Sequence, residues 1–259
     1  MNLEGLDPGI LGPAFVAGLL VLATHIPLGQ EVIRRGIIFI DLAIAQFAGV
    51  GVILAATLGF ETHGIEVQAI ALTSALMGAA LLGLTERLVG EYQEALIGVG
   101  FVLAATAGIL LLAGNPQGGE HLRELLVGQI LWVEWHQLLI PAVISVAVIL
   151  NWYFLPRLLK GHFFYFLFAL SITASVQLVG IYLVFASLII PALATIRIEG
   201  SQRATILALV TGALAYALGL TLSAVMDLPS GASIVWVMAV CGVLVASLSR
   251  WLPLFAREL

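Results

Sequence analysis

Asp41 is the side chain best placed to do chemistry. It stands inside the apolar run GIIFIDLAIAQFAGVGVILAATLGF at residues 36–60. On insertion scales a carboxylate at the centre of a membrane helix costs about 2.5–3.5 kcal/mol, so it faces a bundle interior, a partner or an ion path. Two readings stay open for Asp41: an oxygen ligand for a passing cation, or a structural contact with a partner or helix end. Gln46 lies five residues on, roughly 140° around a helix from Asp41. It reads as a neutral oxygen ligand or as a hydrogen bonder between helices. His25 could bind a transition metal through a neutral imidazole, or could hydrogen-bond a neighbouring helix. His63 clusters with Glu61 and Glu66, but at a spacing that matches no metal motif. His121, His136 and His162 fall in segments that read as loops or interfaces.

HExxH, CxxC and GxSxG are absent from the sequence, so no bond chemistry is expected of this chain. GxxxxGK[ST] is absent too, so a nucleotide that powers the protein must be bound by another chain. The single cysteine, Cys241, excludes an intrachain disulfide and carries no metal-cluster signal.

Residues like these must be held by helices. The chain is 61% hydrophobic and 10% charged, with mean hydropathy +1.14, against about 25% charged residues in a soluble domain. It reads as an all-α integral membrane protein, a single domain over residues 1–259. Spans are expected near 10–29, 36–60, 66–85, 95–114, 136–155, 204–223 and 231–249. The run 163–196 has 34 positions without Lys, Arg, Asp, Glu or His. That is too long for one span of roughly 20 residues and too short for two with a turn. It reads as one span, a bend near Gly180 and a shorter return ending at Pro191 and Arg197. The total is about eight transmembrane helices plus one short or broken crossing.

Lys and Arg near span ends set orientation. With the N-terminus outside, Arg34, Arg35, Arg87, Arg157, Lys160, Arg197, Arg203, Arg250 and Arg257 all fall on the cytoplasmic side, and the C-terminus is cytoplasmic. Arg123 falls outside, among Glu61, Glu66, Glu120, Glu124, Glu134 and Asp227. Such acidic outer loops would favour cations near an entrance. The formal charge of −5 is segregated by side. Lipid is an expected partner, and nucleic acid is not.

Several motifs, in order, carry a resemblance. EVIRRGIIFIDLAIAQFAGVGV (31–52), EALIGVGFVLAATAGILLL (94–112), LLVGQILWVEWHQLL (125–139), ASVQLVGIYLVFASLIIPALAT (174–195) and DLPSGASIV (227–235) together resemble the permease subunits of ATP-binding-cassette importers for zinc and manganese. The likeness extends over nearly the full length. It implies a type II-like importer permease in a bacterial cytoplasmic membrane. It also implies a homodimer of this chain, two cytoplasmic ATPase subunits and an extracytoplasmic metal-binding protein. The chain would hold no cofactor; a divalent metal would be the transported substrate. The resemblance further implies a coupling segment at about 191–201, with Pro191, Ala192, Arg197, Glu199 and Ser201 facing the ATPase. It implies too that the metal passes between the two copies, near the second span; in such a transporter the binding protein would deliver the ion to an outer gate near Asp227.

One departure stands out. Many family members carry GDxxSHA, with a His four residues after the Asp. Here that position is Ala45, followed by Gln46, so the site loses a nitrogen ligand. Carboxylate, carbonyl and water suit Mn²⁺ better than Zn²⁺, a slight lean away from a tight zinc site. A permease for a metal chelate or cofactor such as a siderophore or cobalamin is the neighbouring reading; those chains are usually longer. A secondary transporter would show inverted repeats with matching interrupted spans. Only one interrupted stretch is evident, at 171–181.

Overall fold

The computed structural model describes residues 7–60, 64–115, 118–154, 163–198 and 200–251. Among these the chain is helical, with no strand: α1 (Pro8–Arg35), α2 (Ile40–Thr57), α3 (Ile65–Val89), α4 (Gln93–Leu112), α5 (Gly118–Val127), α6 (Leu139–Phe154), α7 (Phe163–Val179), α8 (Ile181–Ala194), α9 (Ser201–Met226) and α10 (Ser230–Trp251). The expected Arg157, Lys160, His162, Glu61, His63, Glu199 and Arg257 lie outside the described residues.

Helix boundaries follow local chemistry. Asp7 accepts a hydrogen bond from Gly9 N at 2.7 Å, and Pro8 opens the first turn of α1, where a missing N–H costs nothing. Gly36, at φ +70°, stops α1, and Ile37 N donates back to Val32 O at 3.2 Å. That is the left-handed glycine termination common at helix C-termini.

Among the described residues six stretches are long and apolar enough to cross a membrane: 8–35, 40–57, 65–112, 135–152, 201–226 and 230–249. The 48 residues of 65–112 are not one rod. The Phe47 ring of α2 lies against both Gly78 and Gly100. In one straight helix those glycines would be about 33 Å apart. A short 3-10 turn at Gly90–Tyr92 reverses the chain, so α3 and α4 are separate crossings packed on α2. α7 has 17 residues and α8 has 14, at the edge of and below the spanning range of about 17–25. The break between them falls at Gly180, at φ +81°, as the 163–196 run led us to expect.

The second span differs from its expected bounds. Residues 36–39 form a turn rather than helix, and α2 starts at Ile40. Asp41 therefore sits in the first turn of α2, at the Arg-rich end of the bundle. The cause is Gly36, which ends α1, and the chain reversal that follows it.

Candidate functional site

At the Arg-rich end the chain turns from α1 into α2. The N-cap residue of α2, Phe39, has no side-chain oxygen to offer. The carboxylate of Glu94 on α4 serves instead: its Oε1 accepts from Phe39 N at 3.2 Å. A carboxylate there also meets the positive end of the helix dipole. Asp41 follows two residues later, 1% exposed, with its Oδ1 accepting from Leu42 N at 2.7 Å. Glu94 lies within electrostatic reach of Asp41, and Glu94 Oε2 is enclosed without a hydrogen-bond partner. Two carboxylates thus stand at one helix start.

Beside them is a charged and aromatic cluster. Glu31 pairs with Arg34 at 2.5 Å and with Arg35 at 2.7 Å. Arg35 also reaches Glu86 of α3 at 3.8 Å and lies over the Phe164 ring of α7, 4.2 Å from its centroid. Gln93 Nε2 donates to Leu82 O at 2.8 Å and to Tyr165 Oη at 3.3 Å. Sequence reading had singled out neither Glu86, Gln93, Glu94 nor Tyr165. The signal was ERLVGEYQE at 86–94, a polar turn predicted at the same membrane face as Arg34 and Arg35.

Gln46 is buried on the same continuous helix as Asp41, so the two side chains do point about 140° apart. Ala45, four residues after Asp41, is buried at 1% exposure. His25 is not brought to Asp41. It shares a stripe of α1 with Gly18, Leu22 and Gly29, and these meet Tyr216, Gly212 and Leu188 of α9 and α8. Its Nδ1 lies 2.9 Å from Thr24 Oγ1, while Nε2 has no partner. Among the described residues no group of three or more His, Cys, Asp or Glu could hold a metal ion.

α8 runs down to the turn after Ala194. Pro191 and Ala192 are buried, and Thr195 Oγ1 donates to Pro191 O at 3.0 Å. Among the described residues the exposed side chains there are Leu193, Ile196, Arg197, Ser201, Gln202 and Arg203. A partner on this face would touch those, with Pro191 and Ala192 shaping the turn from within. At the far end of the bundle Asp227 is exposed and ends α9 at φ +53°. The next residues, Leu228, Pro229 and Ser230, line a cavity of about 350 Å³ together with Glu120, Arg123, Glu124 and Gln129.

The model of a family described as the ABC 3 transport family matches residues 9–164 and 154–249. Two solved structures share the fold. PsaBC from Streptococcus pneumoniae in complex with Fab is similar at TM-score 0.72 and 23% identity, covering 95% of each chain. An inward-facing structure of a transporter assigned to the metal-chelate ABC type is similar at TM-score 0.63 and 17% identity, covering 93% of this chain and 85% of that one. No curated protein matches the chain.

Proposed function

The chain belongs to the ABC 3 transport family, the membrane permeases of metal ATP-binding-cassette transporters, and from that premise we propose that it carries a divalent cation, Zn²⁺ or Mn²⁺, into the cell by alternating access. The observation that carries this reading is Asp41, a carboxylate buried at a helix start beside a second, incompletely partnered carboxylate. A site of two carboxylates without imidazole is a weak, hard-oxygen site, which suits an ion that must leave again. Asp41 serves as a transient ligand close to the cytoplasmic face. Gln46 and His25 belong to other faces of the fold and do not share that ligand set.

Two copies of the chain assemble, with an ATPase subunit seated on the turn that follows α8 in each, against residues 193–198 and 201–203. ATP is hydrolysed on those separate chains. An extracytoplasmic binding protein delivers the ion at the end that carries Asp227. The N-terminus lies outside, which puts Arg34, Arg35, Arg87, Arg197 and Arg203 at the cytoplasmic face.

The test is metal accumulation in cells lacking their own zinc and manganese importers, with the ATPase and binding protein co-expressed. Uptake of one metal is expected, and Asp41→Asn should reduce it at least about tenfold while the ATPase still co-purifies. Full uptake by Asp41→Asn would remove Asp41 from the path. No uptake of free metal by an intact complex would favour a chelated metal as substrate.

A further inference from the structure

One side of α3 faces away from the rest of the chain. Met77, Leu81, Leu84 and Leu88 are exposed there, and their spacing of four, three and four residues puts them on one helical face. The helix belongs to a stretch apolar enough to cross a membrane. In a bilayer such a face meets acyl chains, which are as apolar as leucine. Beside it a cavity of about 210 Å³ opens between α3 and α7. Ala79 and Gly83 are buried and form its floor, while Ala80, Leu84 and Phe166 of α7 are exposed and form its walls. Arg87, in the last turn of α3, lines it at the Arg-rich end.

The lining restricts what can fill this cavity. Apart from Arg87 its side chains are apolar. A water held there would lack the two to four polar partners it needs, and bare walls would forgo dispersion contacts. A hydrocarbon chain supplies those contacts. Arg87 adds a second requirement, because it is an exposed cation. Glu86, its neighbour in sequence, turns to Arg35 instead, and among the described residues no carboxylate pairs with Arg87. A guanidinium can hold a phosphate through two parallel N–H groups. A protein partner would have to bring an acid to Arg87 across a face otherwise made of Met and Leu. A bilayer brings phosphates to the end of every spanning helix.

We infer that the cavity between α3 and α7 holds one anionic phospholipid, with an acyl chain over Ala79, Ala80 and Gly83 and the phosphate on Arg87. A net negative headgroup is preferred to a zwitterionic one, which brings its own cation to compete with Arg87. The lipid braces α3 against α7 from the bilayer side. Arg35 braces the same two helices from α1, through Glu86 of α3 and the Phe164 ring of α7. The site depends on the membrane-spanning character of α3 and not on what the chain transports.

Native mass spectrometry of the purified chain tests this, after delipidation in detergent and addition of phosphatidylglycerol or phosphatidylcholine. The unaltered chain should retain one phosphatidylglycerol and hold phosphatidylcholine about fivefold more weakly. Arg87→Gln should weaken phosphatidylglycerol about fivefold and erase the preference, whereas Arg87→Lys should keep most of it. Ala80→Phe fills the cavity with the charge intact and should weaken phosphatidylglycerol as much. Val99→Phe adds bulk on α4 instead, where Val99 is exposed, and should change nothing. Both positions are exposed, so both variants should melt with the unaltered chain. Glycerol phosphate, a headgroup without chains, should not displace the lipid. Equal retention of the two lipids by the unaltered chain overturns the inference. So does an Ala80→Phe loss that is absent, or that Val99→Phe matches. Arg87→Gln or Ala80→Phe turning dimers into single chains would overturn it too, and assign the cavity to a second copy.

Discussion

Glu94 illustrates how one carboxylate can serve a neighbouring helix. It lies fifty-five residues from Phe39 in sequence and still supplies the cap that α2 lacks. Glu94→Gln keeps an oxygen acceptor but removes the charge from a helix start. It should lower stability by about 0.5–1 kcal/mol, read by thermal or denaturant unfolding in detergent. If Glu94 also helps hold the ion, the same variant should lower metal uptake beyond what the stability loss explains. Unchanged uptake would confine it to capping. Asp41 was legible from sequence because a charge in an apolar run is conspicuous. Glu94 was not, because it stands in a polar turn where charges are ordinary, and only the reversal at 90–92 brings it to α2. His25 shows the opposite error of proximity. It lies sixteen residues before Asp41, yet the stripe it occupies turns it toward α8 and α9.

Among elements, close helix packing rests on particular glycines. At Gly29 a side chain would meet the Leu188 carbonyl of α8, whereas at Gly98, within α4, nothing lies within 4 Å. Gly29→Ala should therefore cost about 1–3 kcal/mol by overpacking. Gly98→Ala should be neutral or stabilise by about 0.5–1 kcal/mol through helix propensity. Melting curves of the two variants side by side check the contrast. Equal curves would mean that α1 and α8 are not held as closely as described. The broken crossing could be read in advance because 34 uncharged residues fit neither one span nor two. The helical reversal at Gly90–Tyr92 was also legible, from ERLVGEYQE between two apolar runs. The short turn at 36–39 was not. GIIFID is apolar throughout, and hydropathy cannot separate an apolar turn from the first turn of a helix.

For the molecule as a whole, the two ends differ in what they offer. The turn after α8 exposes Leu193, Ile196 and Arg197, a mixed apolar and cationic face suited to a protein partner. Arg197→Glu should reduce ATPase co-purification about tenfold and leave the chain's own melting within about 0.5 kcal/mol. Retention of the ATPase would move the docking face elsewhere. The shortness of α8 has a consequence for how the protein is made. At 14 residues it is too short to settle in a bilayer as an independent span. It is buried instead between α1, which emerges from the ribosome early, and α10, which emerges late. Ile190 of α8 packs directly on Gly242 of α10. The turn at the foot of α8 is therefore expected to settle only once α10 is in place. On the proposed function, a chain truncated before α10 is expected to lack a settled turn after α8 and to fail to co-purify the ATPase.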